Sequence, residues 1–194
     1  MTVPSPSSPG KAELRAEGLQ RRRDFARSLT PELRATLEAQ LARLVLPHLI
    51  EARVVAAYHP LGDEISPYPI LGALIDGQRA ALPWFAGRDA RMIWREGPAL
   101  DPSPWGVLQP AGESAVLLPD IVLIPIVLAD RSGVRIGHGK GHYDRALAHL
   151  RQANPVFTIG LAWESQLVDA SIPADPWDMR LDAIATPREW IACR

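Results

Sequence analysis

The densest chemistry in the chain lies in the run Arg135-Ile136-Gly137-His138-Gly139-Lys140-Gly141-His142-Tyr143-Asp144-Arg145. Glycines at three alternate positions let the backbone turn tightly and aim its N–H groups one way, a concavity that binds anions. A helix starting just after them would add the positive end of its dipole. Lys140 brings a compact positive charge suited to phosphate oxygens. Asp144 is a hard oxygen ligand that could bring magnesium to those phosphates. The run therefore reads as a phosphate site with metal assistance. The competing reading is a flexible strand-to-helix turn, because the spacing is neither that of a Walker loop nor of a dinucleotide fingerprint. A turn without a ligand has little use for so many charges, and this favours the site.

Other candidates carry two readings each. Lys11 and Arg15 are four apart and share a helical face, as a solvated basic face or as a pair of anion contacts. Asp63 and Glu64 follow the apolar run Arg53–Tyr58 and His59. They either decorate a helix start or stand at the sheet edge where open α/β folds bind ligands. Trp105 and Gln109-Pro110 sit in a proline-rich stretch, where an aromatic is a lid on the core or a platform for a flat ligand. Asp175, Asp178 and Asp182 could chelate a cation or simply solvate a loop.

These residues need a scaffold, and the apolar pattern supplies one. Lys11 to about Ser28 reads as a charged helix with Leu14, Leu19 and Phe25 loosely marking a face. A second helix should start at Thr30-Pro31, with Thr30 as N-cap and Pro31 in the first turn. Arg53–Tyr58, Arg79–Leu82 and Val156–Leu161 read as buried strands, and Arg91–Trp94 as another. Residues 120–128 (DIVLIPIVL) give the strongest strand signal, too apolar for an exposed edge, and lead through a turn at 129–133 into the glycine run. Residues 67–77 are expected to form a short helix, 98–110 mostly loop, and His142 to about Ala153 a helix that Asn154-Pro155 stops. The alternation argues for an α/β sheet with helices on its faces.

Composition narrows the function. The chain has 194 residues, enough for one ordinary domain with a sizeable core, and a formal charge of −1 that gives no reason to propose a nucleic-acid partner or an anionic membrane. No apolar run reaches membrane-spanning length, and the first ten residues lack a signal-peptide core. The single Cys193 excludes an internal disulfide. The expectation is a cytoplasmic protein, with the proline- and serine-rich residues 1–9 disordered and residues 10–194 as one domain.

With those residues in place, the sequence resembles the 5-formyltetrahydrofolate cyclo-ligase family, also called methenyltetrahydrofolate synthetases, from Lys11 to about Ala185. The family's most distinctive block is an apolar strand ending in proline, an Asp and Gly turn, and then R-L-G-x-G-K-G-Y-Y-D. Leu123-Ile124-Pro125, Asp130, Gly133 and Arg135–Asp144 match it in order. Lys11 and Arg15 match K-x-x-x-R, Asp63-Glu64-Ile65 matches D-E-I, and Asp178 and Asp182 match D-x-x-x-D. His142 replaces the first of two tyrosines, Trp84 stands where a basic residue is common, and Trp177 where histidine often precedes the acid.

The resemblance implies a single three-layer α/β domain with a mostly parallel sheet, similar to the NagB/RpiA/CoA-transferase-like fold. It also implies ATP-dependent cyclisation of 5-formyltetrahydrofolate to 5,10-methenyltetrahydrofolate, by a monomer with magnesium. ATP contacts are carried over to Lys11, Arg15, Arg135, Gly137, His138, Gly139, Lys140, Gly141, His142 and Tyr143. Folate contacts go to His59, Glu64, Trp105 and the loop residues His138, Gly139, Lys140, Gly141 and His142. The metal goes to Asp144 and Asp178, and the catalytic group is Lys140, Arg135 and Tyr143. Rival readings are a sugar-phosphate isomerase or CoA-transferase-like enzyme, which would need no ATP, and a folate-sequestering protein without catalysis.

Overall fold

The computed structural model describes residues 10–193; the tail at 1–9, expected to be disordered, lies outside them. In chain order the elements are α1 (Lys11–Ser28), α2 (Pro31–Val45), β1 (Val54–Ala56), α3 (Tyr68–Leu71), β2 (Arg79–Trp84) and β3 (Ile93–Glu96). Next come β4 (Asp101–Pro102), β5 (Leu108–Gln109), β6 (Val116–Leu117), β7 (Ile121–Pro125), β8 (Leu128–Asp130) and β9 (Arg135–Ile136). The chain closes with α4 (His142–Ala153), β10 (Phe157–Leu161), β11 (Leu167–Val168), β12 (Ala183–Ala185) and β13 (Trp190–Ala192).

The main sheet has eight strands in the order β13-β12-β10-β7-β1-β2-β3-β6. Its five inner strands, β12-β10-β7-β1-β2, pair parallel, and the flanking β13, β3 and β6 each pair antiparallel with their inner neighbour. β7 lies in the middle, as its composition requires, since a parallel strand covered on both faces must be apolar throughout. Side-chain alternation along it builds the layers. Ile121 and Leu123 pack with Leu41, Ala42 and Val45 of α2, while Val122 and Ile124 pack with Ala146, Leu147 and Leu150 of α4. Helices thus cover both faces of a mostly parallel sheet.

Helix starts follow local chemistry. Thr30 Oγ1 accepts the Leu33 N–H at 3.2 Å and Pro31 occupies the first turn of α2, as the sequence predicts. At α1, Glu13 Oε2 reaches back to accept the Gly10 N–H at 3.1 Å.

Two expectations need correction. The run 120–128 is not one strand. Pro125 has no N–H to continue the ladder, and the Gln166 Nε2 donates to the carbonyls of Ile126 and Val127, holding them out of the sheet. The chain then re-pairs as β8 in a separate three-stranded sheet with β9 and β11. Gly160 makes room for the break, because a Cβ there would lie 2.3 Å from Ile126 Cδ1. The helix expected over 67–77 shrinks to α3, since the Gly72 N–H closes on the Tyr68 carbonyl and Gly77 turns with φ +91°. Residues 98–110 are mostly loop, as expected, and carry only the small hairpin β4–β5.

Candidate active site

The carboxyl ends of β1, β2 and β7 open into a cleft of about 840 Å³, at the edge where open parallel sheets bind ligands. Every residue assigned to ATP, folate, metal or catalysis lines it: Lys11, Arg15, His59, Glu64, Trp105, Arg135, Gly137 to Asp144, and Asp178. They come from α1, the loop after β1, the β4–β5 hairpin, β9, the start of α4 and the loop before β12. Only the folded topology brings them together.

The glycine run behaves as a tight loop. Gly139 and Gly141 have φ of +83° and +62°, which an L side chain rarely adopts. Gly141 is the N-cap of α4 and offers no side chain to cap it, so the helix begins at the cleft without a side-chain acceptor for its first N–H groups among the described residues. Arg15 lies across the loop: its Nε donates to the Gly137 carbonyl at 2.8 Å, and a Cβ on Gly139 would meet its guanidinium carbon at 3.2 Å. Lys140 forms no ion pair among the described residues; its Nζ stands 5.4 Å from the Trp105 ring centre.

Charge at this end is paired within the protein. Lys11 Nζ contacts Asp178 Oδ2 closely and Asp175 Oδ2 at 2.6 Å. Burial opposes the lysine's charge, but the two carboxylates outweigh it and raise its pKa. For Asp178, burial acts upward and the Lys11 hydrogen bond and charge outweigh it, leaving its pKa lowered. Arg135 donates to Asp144 Oδ1 at 2.7 Å and to the Met179 carbonyl. Asp144 Oδ2 and Asp178 Oδ1 accept no hydrogen bond among the described residues. No group of three or more His, Cys, Asp or Glu among those residues is arranged to hold a metal by itself. Two free carboxylate oxygens fit magnesium, which takes one or two carboxylates and completes its shell with substrate phosphates and water.

The other end is drier. Glu64 is 3% exposed. Its Oε2 accepts the Leu61 N–H at 2.9 Å, and its Oε1 lies 3.1 Å from both Arg22 NH1 and His138 Nε2. Tyr143 is half-buried in the cleft lining, and desolvation together with the Glu64 charge pushes its phenol pKa upward. His59 meets the Tyr68 hydroxyl at 2.6 Å through Nδ1.

An aromatic wall joins the two ends. His142 stands edge-on to Phe85 at 4.9 Å and tilted against Trp105 at 5.2 Å. Its pKa is lowered by burial and then by the charges of Arg145 and Lys140. The Trp105 indole N–H is buried with no acceptor among the described residues. At the other departures, Trp84 turns away beneath Arg95, 4.3 Å from its ring, and Arg88 stacks on Trp105 at 5.6 Å, whereas Trp177 sits exposed at the cleft mouth.

Sequence reasoning missed several residues here. Arg22 gave no signal beyond helical charge, whereas Asp175, weighed as a cation ligand or a solvated loop acid, lines the cleft. Phe85 could have been suspected from its place after a strand ending in Pro83-Trp84. Asp182 is placed elsewhere: its Oδ2 accepts from Arg151, from Thr158 N–H at 2.8 Å and from Thr158 Oγ1 at 2.6 Å, tying α4 to β10. Asp130 is likewise internal, its Oδ1 accepting from Ser132 and Val134 and its Oδ2 from Ile172.

Comparison with known proteins agrees over most of the chain. Residues 7–187 match the family described as the 5-formyltetrahydrofolate cyclo-ligase family. A 5-formyltetrahydrofolate cyclo-ligase of Mycolicibacterium smegmatis is 33% identical, covering 93% of this chain and 95% of its own. The Escherichia coli K12 protein of the same name is 29% identical over 87% of this chain and 99% of its own. The NMR structure of Aquifex aeolicus 5,10-methenyltetrahydrofolate synthetase superposes with a TM-score of 0.76 at 26% identity, covering 95% of this chain and 93% of the other. A Mycoplasma pneumoniae 5,10-methenyltetrahydrofolate synthetase gives a TM-score of 0.71 at 25% identity, covering 92% and 99%.

Proposed function

The chain belongs to the 5-formyltetrahydrofolate cyclo-ligase family, enzymes that convert 5-formyltetrahydrofolate to 5,10-methenyltetrahydrofolate, and we propose that its cleft drives this ring closure by moving the γ-phosphoryl group of ATP onto the formyl oxygen. The chemical difficulty is that a formamide oxygen leaves poorly. Phosphorylation breaks the bond between γ-phosphorus and ADP, forms an O–P bond, and leaves an iminium-like formyl carbon. The second folate nitrogen, N10, then attacks that carbon; its proton is lost and the C–O bond breaks as phosphate departs. Both nitrogens end in the methenyl bridge, and no covalent bond to the enzyme is required.

Phosphoryl transfer asks mainly for alignment and charge neutralisation. In this reading the loop N–H groups, Lys140, Arg135, Lys11 and Arg15 supply the neutralisation. Asp144 and Asp178 would hold magnesium through their free oxygens. When bound, the ion would neutralise phosphate charge and fix phosphate orientation. Glu64 would hydrogen-bond the folate, Trp105 would offer its ring and unpaired indole N–H, and Tyr143 would close the floor between the ligands. His59, at the mouth beyond β1, is a further folate contact. Action as a monomer, with residues 10–194 as the working domain, is part of the same proposal.

The observation that carries this reading is the 3.1 Å contact of His138, in the glycine loop, with the buried Glu64. It brings the glycine loop against the buried carboxylate, which supports a phosphate site and a folate site side by side. Purified protein given magnesium-ATP and 5-formyltetrahydrofolate should develop the methenyl chromophore with one ADP per product. Binding of folate without nucleotide consumption would reject the reading, as would turnover in the absence of ATP. No described helix is long and apolar enough to cross a membrane.

A further inference from the structure

Along α1, positions 11, 15, 18 and 22 fall on one face, spaced by four, three and four. Lys11 and Arg15 reach the phosphate end of the cleft. About 16 Å along the helix from Lys11, at 1.5 Å per residue, Arg22 reaches Glu64 behind the opposite end. Arg22 is 6% exposed, and its NH1 donates to Glu64 Oε1 at 3.1 Å. Its Nε has no acceptor among the described residues. A buried guanidinium is thus held by one carboxylate alone.

Stability does not account for this arrangement. Removing both charges from water costs about as much as their attraction returns, and a well-packed apolar pair can serve as well. The geometry around the carboxylate is more informative. Arg22, His138 and the Leu61 N–H fix three of its lone-pair directions, while Arg34 of α2 donates to the Glu64 backbone carbonyl at 2.6 Å. The remaining lone pair belongs to Oε2, on a residue that lines the cleft. Arg22 is in turn fixed by the seating of its helix. Gly18 lies so close to the β7–β8 junction that a Cβ would stand 2.7 Å from the Val127 carbonyl oxygen. α1 cannot roll or slide without that contact failing.

We propose that Arg22 is a positioning residue for the folate: from α1 it sets the plane of the Glu64 carboxylate, so that the free lone pair meets an N–H of the substrate. The proposal rests on the reading of Glu64 as a folate contact. It also gives α1 a second duty, because the helix that carries Lys11 and Arg15 to the nucleotide sets the folate carboxylate as well.

The test uses the full chain with Arg22→Met, Arg22→Lys, Glu64→Gln and the double variant Arg22→Met/Glu64→Gln, each followed by steady-state kinetics and thermal melting. Arg22→Met should raise the KM for 5-formyltetrahydrofolate about tenfold while the KM for ATP stays within about twofold. Arg22→Lys should recover part of that loss, since it keeps the charge but not the fork. The double variant should melt higher than Arg22→Met, having no stranded carboxylate, yet keep the raised folate KM. Arg22→Met with an unchanged folate KM, while Glu64→Gln raises it, would overturn the proposal alone. An unchanged folate KM in Glu64→Gln would overturn it together with the reading of Glu64. If Arg22→Met does not fold, the double variant decides: a wild-type folate KM there overturns the proposal.

Discussion

Asp178 and Asp182 stand four residues apart, and they show how differently this protein treats acids in its cleft and acids in its frame. Asp178 pairs with Lys11 at the cleft wall and keeps Oδ1 free among the described residues. Asp182 takes three hydrogen bonds on one oxygen, from α4 and from the buried Thr158, and does not line the cleft. Asp130 is the extreme of the second kind, 3% exposed with four donors around it. Acids of the frame are held by donors that belong to the frame itself. Those of the cleft are paired with Lys11 and Arg135, cations that a triphosphate would also attract. Such pairing keeps the charges solvated and oriented until ligand arrives, at modest cost to exchange, because partly exposed ion pairs contribute little to stability.

Lys140→Ala is the harshest test of that division. The lysine is exposed and has no ion-pair partner among the described residues, so nothing in the fold depends on it. Turnover should fall by roughly 10²–10³-fold, the usual cost of one donor to transition-state charge, with the melting temperature unchanged. A large drop in melting temperature would mean that the cleft side of the comparison is also structural.

Asp182→Ala should do the reverse. Three donors lose their acceptor, two of them on the fully buried Thr158, and about 1–3 kcal/mol of stability should go with them. Both KM values should stay near wild type. Denaturant unfolding against steady-state kinetics separates these outcomes, and a selective loss of ATP binding would move Asp182 into the cleft.

This pair also marks how far the sequence could be read. The order of elements was legible because apolar runs and caps are local signals: Thr30-Pro31 starts α2, and Asn154-Pro155 ends α4. The site residues were legible through the motif, and all of them reach one cleft. The D-x-x-x-D spacing could not say that its two acids part company, because Pro173 and Pro176 put them on a loop whose course only the fold decides. The break inside residues 120–128 was hidden for a related reason. It depends on Gln166, forty residues away, taking the carbonyls of Ile126 and Val127. Arg22 was invisible because a buried arginine and a solvated one look alike in a helix as charged as α1, and Gly18 shows as a contact only once β8 lies against it.

Lys11→Met should have a middling effect. The methionine keeps most of the stem and removes the ammonium that Asp175 and Asp178 share. Affinity for magnesium-ATP should fall about tenfold, a loss of one partly exposed charge contact, while the folate KM holds. Calorimetric titration with nucleotide reads this directly. Equal weakening of both ligands would mean that Lys11 orders the whole cleft, blurring the distinction drawn between its two ends.

The smallest effect lies in the frame, at Cys193. Its thiol is pushed up to about 11, first by burial and then by the charges of Asp130 and Asp182. Alkylation proceeds through the thiolate, so the rate should climb with pH to a midpoint near that value, well above an open cysteine. Asp182→Ala removes one of the two charges and should bring the midpoint down, whereas Lys140→Ala should leave it in place. The sign for stability follows from proton binding. Between about pH 9, where the unfolded thiol ionises, and about pH 11, the folded chain keeps a proton that the unfolded chain has released, so stability is lost as pH rises through that window. Melting curves of Cys193→Ala should lack this part of the alkaline decline. A midpoint that ignores Asp182→Ala would show that burial alone sets the thiol, and that the acids of the frame are electrostatically silent to their neighbours.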